Sequence, residues 1–148
     1  MPRDYSQAAQ WLLKAAQQGL ASAQSSLGGF YASGLGVPRD YGQAVQWFRK
    51  AAAQGDAVAQ SNLGLAYANG QGVPRSKVAA YALFSLSALR DASSGNAAVG
   101  HRSALASGMT AQEIQAGQTL TRQMSAPGHL LQALDGYMAT AGSNLRMT

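Results

Sequence analysis

The chain has 148 residues, 47% of them hydrophobic, which is enough for one domain with a real core and too apolar for a disordered segment. It has no cysteine, so disulfide staples, thiolate nucleophiles and cysteine-bound zinc are excluded. Charged residues make up 11%, well under the roughly 25% of an average domain, and the net charge of +5 comes from scattered basic residues.

The segment Pro2-Arg3-Asp4-Tyr5 returns as Pro38-Arg39-Asp40-Tyr41, 36 residues on, and Pro74-Arg75 follows after another 36. Between residues 2–39 and 38–75, 26 of 38 positions are identical, with Trp11 over Trp47, Tyr31 over Tyr67 and Gly34 over Gly70. A period of this length marks a repeat architecture.

Residues 2–19 read as the second helix of a unit whose first helix is missing, so the chain looks N-terminally truncated. One helix pair follows over about 20–55 and another over 56–91. In the earlier pair, Gly34-Leu35-Gly36-Val37-Pro38 separates the helices. Asp40 is an N-cap, and Tyr41, Ala44, Phe48 and Ala51 form the apolar stripe of the helix that Gly55 closes. In the later pair, Asp56 caps a helix with Ala59, Leu63 and Tyr67 on one face, stopped by Gly70, Gly72 and Pro74. Ala80, Phe84 and Ala88 keep the register of Ala44, Phe48 and Ala52, but Leu83 replaces Trp and Lys77 replaces Tyr.

Residues 92–125 read as a divergent cap. A helix near 95–107 places Gly100 at the Gly64 position and Ser103 at the Tyr67 position. Thr110 and Glu113 form a capping box, with Ile114, Gly117, Leu120 and Met124 on the apolar face behind it. Pro127-Gly128 ends that helix. The tail, 126–148, carries Leu130, Leu131, Leu134, Tyr137 and Met138 at the spacing of a short amphipathic helix. The architecture this predicts is all-α: a solenoid of antiparallel helix pairs over 1–125, each pair burying its stripe on its neighbour. No apolar run approaches the ~18 residues of a membrane span.

These residues resemble the Sel1-like repeat family, relatives of the tetratricopeptide repeats. The first half of the family pattern reads here as Ala59, Leu63, Gly64, Tyr67, Gly70, Gly72 and Val73. The second half reads as Asp40, Ala44, Trp47, Lys50, Ala51, Ala52 and Gly55. The match is close over 2–91, fades across 92–125 and is absent beyond 126. The resemblance implies a right-handed α-solenoid, and a non-catalytic adaptor or scaffold that binds a protein or peptide. Some such proteins resemble bacterial immunity proteins against a secreted toxin. A cell-wall or β-lactam hydrolase and a structural spacer of a larger protein are the other readings. The compartment stays open between periplasm and cytoplasm.

Other motifs carry framework explanations. The Gly-rich turns follow helices, not strands, so they are turns and not phosphate cradles. His101 and His129 have no metal-ligand or catalytic spacing. Asp4, Asp40, Asp56 and Glu113 sit at helix starts, and no nucleophile elbow or Ser-x-x-Lys motif occurs. No metal, cofactor or catalytic residue is therefore expected. Arg3, Arg39 and Arg75 form one row of three charges, too sparse for nucleic acid. Trp11, Trp47, Tyr5, Tyr41, Tyr31 and Tyr67 are expected in packing between repeats.

By the tetratricopeptide analogy, the concave face is lined by the first helix of each unit. Counting back from each Leu-Gly pair gives Ser22, Ser25, Gly29 and Ser33, then Val58, Ser61, Leu65 and Asn69, then Ser94, Ala97, His101 and Leu105. These positions vary between copies. They form a shallow, nearly uncharged groove suited to an extended peptide or partner helix, on a chain expected to be monomeric. The tail Leu130–Met138 is the competing occupant of that groove.

Overall fold

The structure, a computed structural model, describes residues 4–93 and 95–147, with side chains placed through 141. Among these residues there are eight helices and no strand: α1 Tyr5–Gln17, α2 Ala21–Ser33, α3 Tyr41–Ala53, α4 Ala57–Asn69, α5 Lys77–Arg90, α6 Ala98–Ala106, α7 Ala111–Met124 and α8 Leu130–Met147. None of them is long and apolar enough to cross a membrane.

Local chemistry sets the helix ends. Asp4, Asp40, Asp56 and Ser76 each accept a hydrogen bond from the backbone N–H three residues on, which satisfies a donor the helix start leaves open. Gly34 and Gly70 end α2 and α4 in the left-handed region. Thr110 and Glu113 form the full capping box of α7.

Packing follows chain order, α1 to α5, each helix lying on the next. The Leu-Gly pairs explain how the helices come so close. A Cβ on Gly28 would stand 2.6 Å from the Phe48 ring, and one on Gly64 would stand 2.7 Å from the Phe84 ring. Each glycine is a slot for the phenylalanine of the following helix. A buried amide repeats with the same period. Gln24 and Gln60 donate to the Ala16 and Ala52 carbonyls, both at 3.1 Å. Gln54 donates to Gln24 Oε1, whereas Gln60 Oε1 is buried without a donor; the residue at the matching place is Arg90, which is exposed.

The main core gathers α3, α4 and α5 and is closed by Ala98, Leu120, Met124, Leu130 and Leu134. Every residue from Val78 to Ser87 is buried. That enclosure is why Leu83 stands where earlier copies have tryptophan: the site has no solvent edge for an indole.

Several expectations need correction. Both indoles were expected in packing, but Trp11 is 64% exposed and Trp47 is only half-buried. Trp47 rests on the Ala16, Ala23 and Leu27 cluster, while no described helix precedes α1 to cover Trp11. Each indole carries a lysine over its ring, Lys14 at 5.1 Å and Lys50 at 4.6 Å. Trp47→Ala is therefore expected to cost about 1–2 kcal/mol, not the ~3–5 of a fully buried tryptophan. Trp11→Ala is expected to stay within about 0.5 kcal/mol. Urea denaturation midpoints of the two variants check the ranking.

The cap also departs from the repeat. Gly100 has nothing within 4 Å and so is no slot. Val99, at the Leu63 position, is 49% exposed while Ala98 is buried. The turn before α6 lacks the Gly55-type left-handed residue, since Asp91 occupies that place with extended backbone, and the helix starts in a shifted register. The tail helix runs to Met147, well past Met138. It does not enter the face formed by α2, α4 and α6. It lies against α7, α3 and α5 on the other flank, where Arg49 donates two hydrogen bonds of 2.8 Å to Asp135. Arg39 and Arg75 of the basic row are exposed, Arg39 lying 5.9 Å from the Tyr41 ring; Arg3 lies outside the described residues.

Candidate partner-binding site

Two depressions lie on the face shared by α2, α4 and α6. The first, about 250 Å³, runs between α2 and α4 over α3. Gly29 and Ser33 form one wall, Asn62, Leu65 and Asn69 the other, and Ala44 and Phe48 the floor. The second, about 230 Å³, lies between α4 and the start of α6. It is lined by Val58, Ser61, Asn62, Leu65, Ala97 and His101, with Asp91 at its edge. Asn62 and Leu65 belong to both, so α4 is the ridge that joins them.

The second halves of the repeats supply the floor and the first halves supply the walls. Gly28 and Gly64 matter here indirectly: by admitting Phe48 and Phe84 they seat α3 beneath α2 and α5 beneath α4, which leaves α2 and α4 apart at the surface. The His101 ring lies 5.5 Å from Phe84, tilted by 33°, and closes the far end.

The fold and these repeated framework positions can be compared with known proteins. The chain matches the Sel1 repeat family over residues 1–20, 21–56 and 57–91. It belongs to the Sel1 repeat family. Among solved structures, it is similar to a protective antigen of uropathogenic Escherichia coli strains that displays an SLR fold. That similarity has a TM-score of 0.79 and 31% identity over 94% of this chain and 30% of the antigen. It is also similar to a Sel1 repeat protein from Oxalobacter formigenes, with a TM-score of 0.55 and 39% identity over 55% of this chain and 63% of that one. The chain thus spans less than a third of the antigen's length. No curated protein sequence matches it. Sel1 repeats generally mediate protein–protein interaction and are generally a non-catalytic scaffold.

In this Sel1 repeat chain the positions expected to meet a partner divide into groups. Ser33, Leu65 and Asn69, with Gly29, come together at the first depression. Val58, Ser61 and His101 meet Leu65 at the second. Ser22 is exposed but lines neither. Ser25 is a correction: it is 6% exposed, turned into the packing of α2, and offers no partner surface. Leu105 is half-buried against the main core, as Leu65 is, but unlike Leu65 it lines neither depression, α6 having left the repeat register. Ser94 lies outside the described residues. Asn62 was missed. It stands three residues before Leu65, on the same helical face, and differs from Ser26 in the previous copy; both signals were in the sequence.

Electrostatics leave the site almost neutral. Asp91 is its one acid, held below the usual carboxylate range chiefly by the Ser93 backbone N–H. The shifted groups of the fold lie elsewhere. Burial raises Tyr67, a rise partly offset by Arg49, and the hydrogen bond to Asp135 raises Arg49. Among the described residues no cluster of three histidines or acids could hold a metal.

Proposed function

We propose that this chain is a peptide-binding adaptor module that holds an extended segment of a partner protein across the α2–α4 groove. The observation that carries the reading is the pairing of Asn62 and Asn69 around Leu65. Neither amide makes a side-chain hydrogen bond within the chain among the described residues, and both line the groove beside an apolar floor. An asparagine amide offers a donor and an acceptor, the complement of a peptide unit in an extended chain. A helix has already satisfied its own backbone and would leave both amides unmatched. Leu65 and the Phe48 edge supply the apolar contact, and the lack of charge in the groove favours a segment without acidic or basic residues at its centre.

The test is selection of a displayed peptide library on the native chain, with Leu65→Asp, Asn69→Ala as the counter-screen. Native selections are expected to converge on neutral sequences with a central aliphatic residue. The double variant is expected to retain its helical circular dichroism and to lose those binders by at least about tenfold, the loss of one to two good contacts. Binders that survive on a folded double variant would move the function off this groove.

A further inference from the structure

We infer that the flank of α1 facing away from the α2–α4 groove is a vacant helix-docking site, shaped for an apolar amphipathic helix supplied by a partner protein. The repeat makes the comparison internal to the chain. Advancing 36 residues carries Ala9, Gln10 and Leu13 of α1 onto Val45, Gln46 and Arg49 of α3, and then onto Tyr81, Ala82 and Ser85 of α5.

On α5 this flank is covered by a helix. Gly117 of α7 lies against the Tyr81 ring so closely that a Cβ would stand 2.5 Å from it, and the Thr121 hydroxyl is 3.5 Å from the Ala82 carbonyl oxygen. On α3 it is covered again. Arg49 grips Asp135 of α8 through both guanidinium nitrogens, and Leu130 and Leu134 enter the cluster that holds Val45, Leu63 and Tyr67. On α1 no described helix lies there. A groove of about 170 Å³ stays open, with Ser6, Ala9 and Leu13 on one side, Leu27 and Tyr31 as floor and Val37 as the lip. The floor tyrosines record the difference: Tyr67 is 3% exposed, while its copy Tyr31 is only half-buried.

The differences between copies define the occupant. Both filled seats hold helices, so the vacant one is shaped for a helix. Leu13 stands where Arg49 meets Asp135, so a carboxylate there would lose water with no cation to replace it. The occupant is apolar at that position. The flank also runs from small to large: Ala9, Val45, Tyr81. Tyr81 is met by a glycine; Ala9 is 4% exposed at the base of the groove, so the room for a large aliphatic or aromatic side chain lies above it, between exposed Ser6 and half-buried Leu13. This site is separate from the α2–α4 groove and stands or falls independently of it.

The test uses the whole 148-residue chain and two fluorescent peptides. One has the native sequence of residues 128–141, and the other has it with Asp135→Leu. Anisotropy titration is expected to show the Asp135→Leu peptide binding at least about tenfold more tightly than the native one, the scale of one unpaired buried charge. Leu13→Arg, which copies the α8 seat, is expected to reverse that preference, and Leu13→Glu to weaken both peptides; circular dichroism verifies that each variant is folded. The proposal is overturned if the Asp135→Leu peptide does not bind, or if Leu13→Arg leaves the preference unchanged. It is overturned in favour of a second copy if the chain dimerises in the micromolar range and Leu13→Glu abolishes the dimer.

Discussion

Phe84→Ala is expected to remove about 3–5 kcal/mol of stability, the usual cost of emptying a well-packed aromatic site. Phe84 is 1% exposed and joins three helices: its ring edge enters the slot over Gly64 of α4, and its face meets His101 of α6. Gly64→Ala approaches the same slot from the other side. Its new methyl would collide with the ring and cost about 1–3 kcal/mol of overpacking. The two changes share one volume, so the double variant is expected to be more stable than the sum of the single losses predicts, by about 1 kcal/mol or more. Equilibrium urea denaturation of the four proteins measures the coupling. Strict additivity would show that glycine and ring do not share a slot.

Gly72→Ala is expected to cost more than Gly55→Ala, although both glycines have positive φ. Gly55 has φ +94 and open space around it, so a methyl there meets only the backbone preference, about 1–2 kcal/mol. Gly72 has φ +80, and its Cβ would stand 2.5 Å from the Tyr41 carbonyl oxygen and 3.0 Å from Val45. Backbone cannot yield as a flexible side chain can, so the turn must lift away from the start of α3. The expected total is roughly 2–5 kcal/mol, the conformational cost plus overpacking. The Val73 contact with the core loosens at the same time. Thermal melts of the two variants decide it: equal losses would mean that the close approach of turn to helix adds nothing.

Much of this architecture is readable from residues because its causes are local. Asp40 and Asp56 cap the helices that follow them, Gly70 turns the chain where helix periodicity stops, and Thr110 with Glu113 closes its box within four residues. The Leu-Gly pair recurs because each copy must admit a phenylalanine. The face formed by Ser33, Leu65 and Asn69 follows from counting along a helix of known pitch. Asn62 escaped the count only because it sits at the edge of that stripe.

What failed to show in the sequence depends on who the neighbour is. Trp11 and Trp47 occupy the same place in the repeat, yet one is exposed and the other half-buried, since among the described residues only Trp47 has earlier helices, α1 and α2, packed beside it. Ser25 and Leu105 look like surface positions by register, but burial is a property of the packed pair and the register itself shifts after Asp91. The tail helix could have been drawn on either flank of the solenoid. Its amphipathic spacing is the same in both cases, and contacts with distant segments select the flank: Leu130 and Leu134 enter the main core, and Asp135 meets Arg49, 86 residues away. Helix ends and repeat period arise from contacts within one turn of chain, so the sequence alone determined them. Which copy of an identical surface is covered depends on contacts between distant segments, and only the tertiary structure decided that.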